Sequence, residues 1–197
     1  MGIVGGTFDP IHFGHLAAAR EAQQALGLDK VLFIPSARPP HRPDSPSASG
    51  YHRLEMARRA VADTPGWEVS DLELAREGTS YTYDTLTTIG REGLSPLQIF
   101  FITGADAFAE IGTWYRYPDV LNLANFVVVD RPGTALASLR ERLREDAARP
   151  NVILLEADTP DISATDIRNR VARGESLDGL VPPAVSAYIK RNSLYGA

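Results

Sequence analysis

The chain has 197 residues, of which 44% are hydrophobic and 23% are charged, with a formal net charge of −5 and no cysteine. This composition is typical of a globular domain with a sizeable core, and the lack of cysteine excludes disulfides, thiolate metal sites and cysteine nucleophiles. The acidic charge argues against nucleic acid as a partner, and no apolar run reaches the ~18 residues of a transmembrane helix. The first residues show no signal-peptide pattern, so we expect one cytoplasmic domain over residues 1–197 with no membrane partner.

Short apolar runs alternate with helical patterns along the chain. The runs lack polar alternation, which is typical of strands buried on both faces of a parallel sheet. They lie at residues 3–4, 31–34, 99–102, 126–129 and 152–155. Helical patterns lie at residues 16–28, closed by Gly27, and in the repeats of Leu54, Ala57 and Val61 and of Leu136, Leu139 and Leu143. The sequence therefore predicts an α/β fold, a doubly wound parallel sheet with helices on both faces, and Trp67 is assigned to its core.

The stretch GGTFDPIHFGH, residues 5–15, falls between the first strand and the first helix. That position is the carboxyl edge of a parallel sheet, where ligands bind. Gly5 and Gly6 allow close backbone approach and positive φ, and free amides at the helix start attract an anion. His12 and His15 flank Gly14, so both rings can face the same anion. We predict a phosphate site here.

Two other interpretations of this stretch stay open at this point. A glycine-rich turn between strand and helix can be a tight turn and nothing more. The two histidines can serve as a helix cap or as half of a zinc site, although His41 and His52 do not complete a convincing ligand set. The stretch is not a Walker A phosphate loop, because its glycines are not followed by the lysine and hydroxyl residue of that motif.

A proline- and serine-rich segment follows the second strand, at residues 35–50. A loop of this length within a compact domain is usually a lid over an active site or a disordered stretch. We predict a mobile loop at about residues 36–50.

A second candidate site is ISATDIR, residues 162–168, after the last predicted strand. Ser163 with Asp166 three residues later predicts a helix start of the capping-box type. Taken alone, the pattern favours a cap without further function. The hydroxyls of Ser163 and Thr165, the backbone amides and Arg168 also form a second anion site at the same edge of the sheet.

The stretch at residues 5–15 closely resembles the opening signature of the H-x-G-H nucleotidyltransferase superfamily, and ISATDIR resembles a second motif of that superfamily. Ala164 replaces a usual serine there, so one family hydroxyl is absent. Further segments resemble the bacterial nicotinate mononucleotide adenylyltransferases: residues 39–41, 80–86, 103–108, 114–115, 130–133, 188–189 and 194–195. The resemblance covers residues 3 to about 195. Arg42 stands where the family usually has lysine, which keeps the charge but changes its geometry.

The resemblance implies a Rossmann-like nucleotidyltransferase fold and an enzyme that transfers the adenylyl group of ATP to nicotinate mononucleotide in NAD biosynthesis. ATP and the mononucleotide are the implied partners, with a homo-oligomer left open, and Mg²⁺ is bound through ATP with no metal ligand from the protein. The implied catalytic residues are His12, His15, Ser163, Thr165 and Arg168. The implied ATP-binding residues are Gly5, Gly6, Thr7, Phe8, Asp9, Gly14, Gly104, Asp106 and Arg131. The implied mononucleotide-binding residues are His41, Arg42, Tyr81, Thr82, Asp106, Trp114 and Tyr115.

The chemistry of the mononucleotide agrees with this set. Trp114 can stack on a pyridine ring, amides near Tyr81, Thr82 and Tyr115 can bind its carboxylate, and Asp106 can accept from ribose hydroxyls. Ordinary packing is the alternative interpretation of Trp114 and Tyr115.

Three other functions remain as alternatives. One is a relative that uses phosphopantetheine, against which Thr82 and Trp114 argue. Another is an adenylyltransferase of dual specificity that also accepts the amide, nicotinamide mononucleotide. The third is a non-catalytic nucleotide sensor, which has no need for transition-state contacts at both ends of a triphosphate.

Overall fold

The computed structural model describes residues 1–40, 46–130 and 151–196. The β-strands of these residues are β1 (Gly2–Gly6), β2 (Val31–Pro35), β3 (Trp67–Val69), β4 (Phe100–Gly104), β5 (Asn125–Asp130) and β6 (Val152–Glu156). They form one sheet in the order β3-β2-β1-β4-β5-β6. The β1–β4, β4–β5 and β5–β6 pairs are parallel, with Val4 opposite Ile102 and Phe126 opposite both Phe101 and Val152. This order is that of a doubly wound Rossmann-like sheet, so the predicted fold class is confirmed.

The described residues contain six α-helices, of which the sequence patterns predicted the first, the second and the fifth. They are α1 (Phe13–Leu26), α2 (Gly50–Val61), α3 (Thr82–Arg91), α4 (Ala105–Ala109), α5 (Ala164–Ala172) and α6 (Pro183–Arg191). Gly27 follows α1 with a φ of 59°, the left-handed conformation expected of a glycine cap. The predicted repeat of Leu136, Leu139 and Leu143 lies outside the described residues.

The strand β3 is the one described strand that the apolar runs did not predict. Its three residues, WEV, are too short to show a pattern of their own. Trp67 is buried, and its ring lies 5.1 Å from that of Phe33, which confirms its assignment to the core.

The chain divides into two compact units, each made of three segments. Unit 1 comprises Met1–Gly5, Ala18–Val31 and Tyr81–Thr159, and unit 2 comprises Gly6–Ala17, Leu32–Ser80 and Pro160–Ala197. Buried side chains of unit 1 include Ile3, Leu86, Ile89, Ile102, Phe108 and Phe126. Those of unit 2 include Phe8, Ile11, Phe33, Ile34, Met56 and Val185. The single domain expected over residues 1–197 stays a prediction. None of the described helices has the length and apolar character needed to cross a membrane.

Candidate active site

The turn between β1 and α1 is built around Phe8. This side chain is 1% exposed, and its backbone is left-handed with a φ of 51°. Its ring meets that of His15 edge to face at 5.1 Å and lies 6.2 Å from that of Phe33. A non-glycine residue keeps a positive φ only where its surroundings hold it, and such positions are concentrated at functional sites.

The structure corrects the reason for the glycines that precede this turn. The positive φ expected of Gly5 and Gly6 is wrong, because both lie in the extended strand β1 and Phe8 takes the left-handed conformation instead. A Cβ atom on Gly6 would lie 2.9 Å from Cε1 of Phe8, and one on Gly5 would lie 3.4 Å from Cζ of Phe101. Glycine is needed at residue 6 because an aromatic ring lies against its backbone.

His12 and His15 lie side by side. Their rings stack with centroids 3.7 Å apart and planes 30° apart, and the backbone N–H of His12 donates to Nδ1 of His15 at 3.3 Å. A Cβ atom on Gly14 would lie 3.0 Å from Nδ1 of His12. The glycine between the two histidines therefore lets the His12 ring lie against the first turn of α1. The structure thus brings together the two histidines that the spacing predicted.

His12 is the more buried of this pair. It is 7% exposed, and burial lowers the pKa of its imidazole from the usual 6.5 to about 4. Its Nδ1 atom is buried and has no hydrogen-bond partner among the described residues. The ring is therefore neutral near pH 7, and it can bind a phosphate only as a neutral donor or after gaining a proton from that contact.

The backbone amides at the start of α1 are less available than predicted. The amide of His12 donates to the His15 ring, that of Phe13 to the carbonyl of Leu180 at 3.0 Å, and that of His15 to the carbonyl of His12 at 3.0 Å. The expectation of free amides is therefore wrong at these three positions, because the turn itself and the chain before α6 satisfy them.

Ser163 caps α5 as predicted, but the predicted capping box is wrong, because the Asp166 side chain binds Arg170 instead of the Ser163 backbone. The Ser163 hydroxyl accepts from the amide of Thr165 at 3.2 Å, which confirms Ser163 as the N-cap. The Asp166 carboxylate accepts from Nε of Arg170 at 2.9 Å. Ser163 and Thr165 are exposed, so both hydroxyls can reach a ligand.

Arg168 joins the two motifs within unit 2. Its Nη1 donates to the backbone carbonyl of Asp9 at 2.8 Å, and its Nη2 donates to the hydroxyl of Thr165 at 3.0 Å. A guanidinium carries five N–H donors, so two bonds fix its plane and leave others for a ligand. The segment at residues 5–15 and the start of α5 are thus neighbours, although more than 150 residues separate them: Asp9 and Arg168 are 159 positions apart.

Asp9 is occupied by contacts within the protein. Its carboxylate is 3% exposed and accepts from the amides of Ser47 at 2.7 Å and Ala48 at 3.0 Å. The hydroxyl of Tyr195 also donates to it, at 2.8 Å. These contacts favour an organising role for the Asp9 side chain over the direct ATP contact that the resemblance implies.

The aromatic residues of unit 1 divide into two sets. Tyr81 and Tyr115 stack with ring centroids 4.3 Å apart, immediately before Thr82 opens α3. The indole of Trp114 instead meets the rings of Phe101 at 6.0 Å and Phe126 at 6.4 Å edge to face. Trp114 thus packs on the core by one side while remaining partly exposed, which is compatible with both interpretations of its role.

The other predicted site residues differ in how fully the structure describes them. Asp106 is exposed in the first turn of α4, directly after Gly104, and a Cβ atom built on that glycine would meet no atom within 4 Å. The backbone carbonyl of Thr7 accepts from Arg53 at 2.6 Å. His41, Arg42 and Arg131 lie outside the described residues.

The described part of the chain contains no group of three His, Asp or Glu side chains close enough to hold a metal ion. Asp9, the buried carboxylate next to the histidine motif, already has three protein donors. These residues do not fit a protein-held magnesium ion.

Sequence reasoning missed Arg53 and Tyr195. Arg53 is 2% exposed, and its guanidinium donates to the carbonyls of Ala48, Thr7 and Ser36 at 3.2, 2.6 and 2.6 Å. An arginine among the buried residues of an amphipathic helix was the available signal, since Leu54, Met56 and Ala57 follow it on α2. For Tyr195 there was no signal beyond the family resemblance of the segment that contains it.

Comparisons with known proteins identify the family of this chain. The cytidylyltransferase-like family model matches residues 3–170. The chain is 47% identical over 197 residues to the "Probable nicotinate-nucleotide adenylyltransferase" of Roseiflexus sp. (strain RS-1), covering 99% of this chain and 97% of the relative. It is 45% identical to the protein of the same name from Desulfitobacterium hafniense (strain Y51), covering 99% and 95%.

Solved structures show the same fold. The Plasmodium falciparum nicotinic acid mononucleotide adenylyltransferase complexed with NaAD superposes with a TM-score of 0.78 at 18% identity, covering 98% of this chain and 96% of that one. At this identity the likeness shows the fold alone. The family model and the curated relatives carry the assignment further: the chain belongs to the cytidylyltransferase-like family and, within it, to the nicotinate-nucleotide adenylyltransferases, which are nucleotidyltransferase enzymes.

Proposed function

We propose that this chain transfers the adenylyl group of ATP to nicotinate mononucleotide, giving nicotinate adenine dinucleotide and pyrophosphate in NAD biosynthesis. The names of its relatives support this reaction. The observation that carries the proposal is the position of Arg168, bound to both the Asp9 carbonyl and the Thr165 hydroxyl. One guanidinium thereby belongs to both phosphate motifs, as a single triphosphate site requires.

The proposed step is an in-line displacement at phosphorus. A 5′-phosphate oxygen of the mononucleotide forms a bond to the α-phosphorus of ATP, the bond from that phosphorus to the bridging oxygen breaks, and pyrophosphate leaves with the electron pair. The substrate supplies the nucleophile, so the protein needs no covalent residue. Catalysis then consists of positioning and of stabilising the charge that develops on the phosphate oxygens.

The histidines contribute as hydrogen-bond donors in this scheme. His12 is neutral because its pKa is about 4. Nδ1 of His15 accepts the His12 amide, so in neutral His15 the proton is assigned to Nε2, which then donates. Both rings stabilise the triphosphate and its developing charge, while Arg168, with Ser163 and Thr165, holds the phosphates from the second motif.

The remaining assignments follow the family resemblance. The backbone of Gly5, Gly6, Thr7, Phe8 and Gly14, with Gly104, Asp106 and Arg131, would bind ATP. The residues His41, Arg42, Tyr81, Thr82, Asp106, Trp114 and Tyr115 would bind the mononucleotide. Mg²⁺ would enter on the triphosphate, where it neutralises charge.

The test is turnover of the purified chain with ATP, nicotinate mononucleotide and Mg²⁺, following both the dinucleotide and pyrophosphate. His15→Ala should lower kcat by ~10²–10³-fold, the usual effect of losing one positioned donor to a developing charge. His52→Ala is the matched control, because His52 binds the hydroxyl of Tyr188 at 2.9 Å and takes no part in the scheme. If the chain binds ATP but forms no dinucleotide, it is a nucleotide sensor. If it turns over phosphopantetheine instead of nicotinate mononucleotide, it is the phosphopantetheine-using relative considered above.

A further inference from the structure

The C-terminal turn, Leu194–Gly196, reaches the loop that carries the histidine motif. The hydroxyl of Tyr195 donates to Oδ1 of Asp9 at 2.8 Å, across 186 positions of sequence. Burial, and after it the negative charge of Asp9, raise the pKa of this hydroxyl far above its usual value. The hydroxyl therefore keeps its proton at neutral pH and is the donor in this bond.

The backbone around Tyr195 is held in an unfavourable conformation to make this contact. Ser193 has a φ of 49° and Tyr195 a φ of 60°, both in the left-handed region that favours glycine. Gly196 packs on the last turn of α5: a Cβ atom there would lie 3.8 Å from Cα of Ala172. A non-glycine residue stays left-handed only where its surroundings compensate for the cost, and the bond to Asp9 is one such compensation.

Asp9 lies between this hydroxyl and Arg168. Its Oδ2 atom is 4.0 Å from Nη1 of Arg168, beyond hydrogen-bond distance, while that same nitrogen binds the Asp9 carbonyl at 2.8 Å. The amide of Ser47 donates to Oδ2, and the amide of Ala48 and the hydroxyl of Tyr195 both donate to Oδ1. Arg168 therefore lies within ion-pair distance of the carboxylate but makes no direct hydrogen bond to it.

We infer that Tyr195 is a positioning residue for ATP, whose hydroxyl holds the Asp9 carboxylate and so leaves the Arg168 guanidinium available to the triphosphate. Without the hydroxyl, Oδ1 of the carboxylate keeps only the amide of Ala48 as a donor, and one buried acceptor position on this oxygen is left open. The Nε and Nη1 atoms of Arg53, another cation near Asp9, are held by three backbone carbonyls. Arg168 lies 4.0 Å from Oδ2 of Asp9, and a direct hydrogen bond to this carboxylate would withdraw its N–H groups from phosphate.

The inference rests on the proposed function for its kinetic part. In Tyr195→Phe, which keeps the ring and its packing, KM for ATP should rise by roughly three- to tenfold while KM for the mononucleotide stays unchanged. The Kd for ATP, measured by calorimetry without turnover, should rise by the same factor. Tyr188→Phe is the matched control, because it also loses one hydroxyl, the partner of His52, and should leave all three constants unchanged.

A double variant tests the route through Asp9. If Tyr195 acts through that carboxylate, Tyr195→Phe should add less than twofold to the effect of Asp9→Asn on the Kd for ATP. An ATP Kd within twofold of wild type in Tyr195→Phe would overturn the inference, as would equal losses in Tyr195→Phe and Tyr188→Phe. A wild-type chain that binds ATP but forms no dinucleotide would overturn the proposed function and leave the ATP-binding test intact.

Discussion

The imidazole rings of His12 and His15 stack with centroids 3.7 Å apart, and the backbone of one donates to the ring of the other. Two imidazolium cations at this separation would repel strongly, and His12 is also too buried to charge easily. The pair therefore enters the reaction with His12 neutral. This differs from a site that attracts triphosphate through two positive histidines.

A neutral, buried His12 predicts a pH dependence of stability. The unfolded chain binds a proton at His12 below about pH 6.5, whereas the folded chain does so below about pH 4. Between these values the unfolded state holds more protons, so the free energy of unfolding rises with pH. The stabilisation that comes from a neutral His12 is lost as the pH falls from 6.5 to 4. By pH 5 the loss from His12 should be about 2 kcal/mol.

Urea denaturation at pH 7.5 and pH 5.0 measures this loss. In His12→Gln the difference in unfolding free energy between the two pH values should be smaller than in wild type by about 2 kcal/mol. Comparing the change with pH, rather than stability itself, removes the cost of repacking the glutamine. Equal pH dependence in both proteins would show that His12 titrates normally.

Gly14→Ala tests whether the position of the His12 ring matters for activity. The new Cβ atom would lie 3.0 and 3.1 Å from Nδ1 and Cε1 of His12, so the His12 ring must move off its stack with His15. We expect kcat to fall by ~10²-fold, because one donor loses its position. Gly90→Ala in α3 is the matched control: its Cβ atom meets nothing within 4 Å, so it should stabilise the protein by ~0.5–1 kcal/mol with unchanged kinetics. Wild-type kcat in Gly14→Ala would remove the His12 position from the mechanism.

Arg168→Lys should lower activity substantially, although the substitution keeps the positive charge. The guanidinium binds the Asp9 carbonyl and the Thr165 hydroxyl with two different nitrogens, and a single ammonium cannot keep both bonds while facing phosphate. We expect kcat/KM for ATP to fall by roughly tenfold, about 1.4 kcal/mol. Arg170→Lys, on the same helix and paired with Asp166, should leave kcat/KM unchanged. If the two variants behave alike, Arg168 has a capping role.

The sequence predicted those parts of the fold that local pattern determines. The strands with four or more apolar residues in a row, the glycine cap at Gly27 and the N-cap at Ser163 depend on neighbouring residues and were found. The spacing of His12 and His15 across one helical turn likewise made their contact predictable. The three residues of β3 carry too little pattern.

What escaped prediction depends on contacts between distant residues. Arg53 binds the carbonyls of Ser36 and Thr7, 17 and 46 positions away, and backbone acceptors leave no trace in the amino-acid types. The bond from Tyr195 to Asp9 spans 186 positions. The expected positive φ at Gly5 and Gly6 failed for a related reason: glycine is required at residue 6 by the aromatic ring of Phe8, which lies against the strand.

The preference for an acid over an amide substrate depends on the start of α3. The N-cap residue Tyr81 makes no side-chain hydrogen bond to the first turn, which leaves that cap position open to a ligand. The amides of a first helical turn and the helix dipole favour an anion. The exposed Tyr115, stacked on Tyr81, brings a second backbone segment of unit 1 to the same place. A substrate carboxylate near Thr82 would therefore meet donors from both segments.

We therefore predict that kcat/KM for nicotinate mononucleotide exceeds that for nicotinamide mononucleotide by at least roughly tenfold at saturating ATP and Mg²⁺. A carboxylate accepts on both oxygens, whereas the amide would set its NH₂ against a backbone N–H and leave a buried donor unpaired, at a cost of ~1–3 kcal/mol. Arg116, whose guanidinium lies 4.7 Å above the Tyr83 ring, is a nearby cation that could produce the same preference by charge alone. In Arg116→Met the ratio should persist, because oriented backbone amides select the anion. If the kcat/KM ratio falls to about one in Arg116→Met, the preference for the acid is produced by Arg116. If the ratio is already near one in wild type, the chain is an adenylyltransferase of dual specificity whose pocket recognises only the pyridine ring and the ribose.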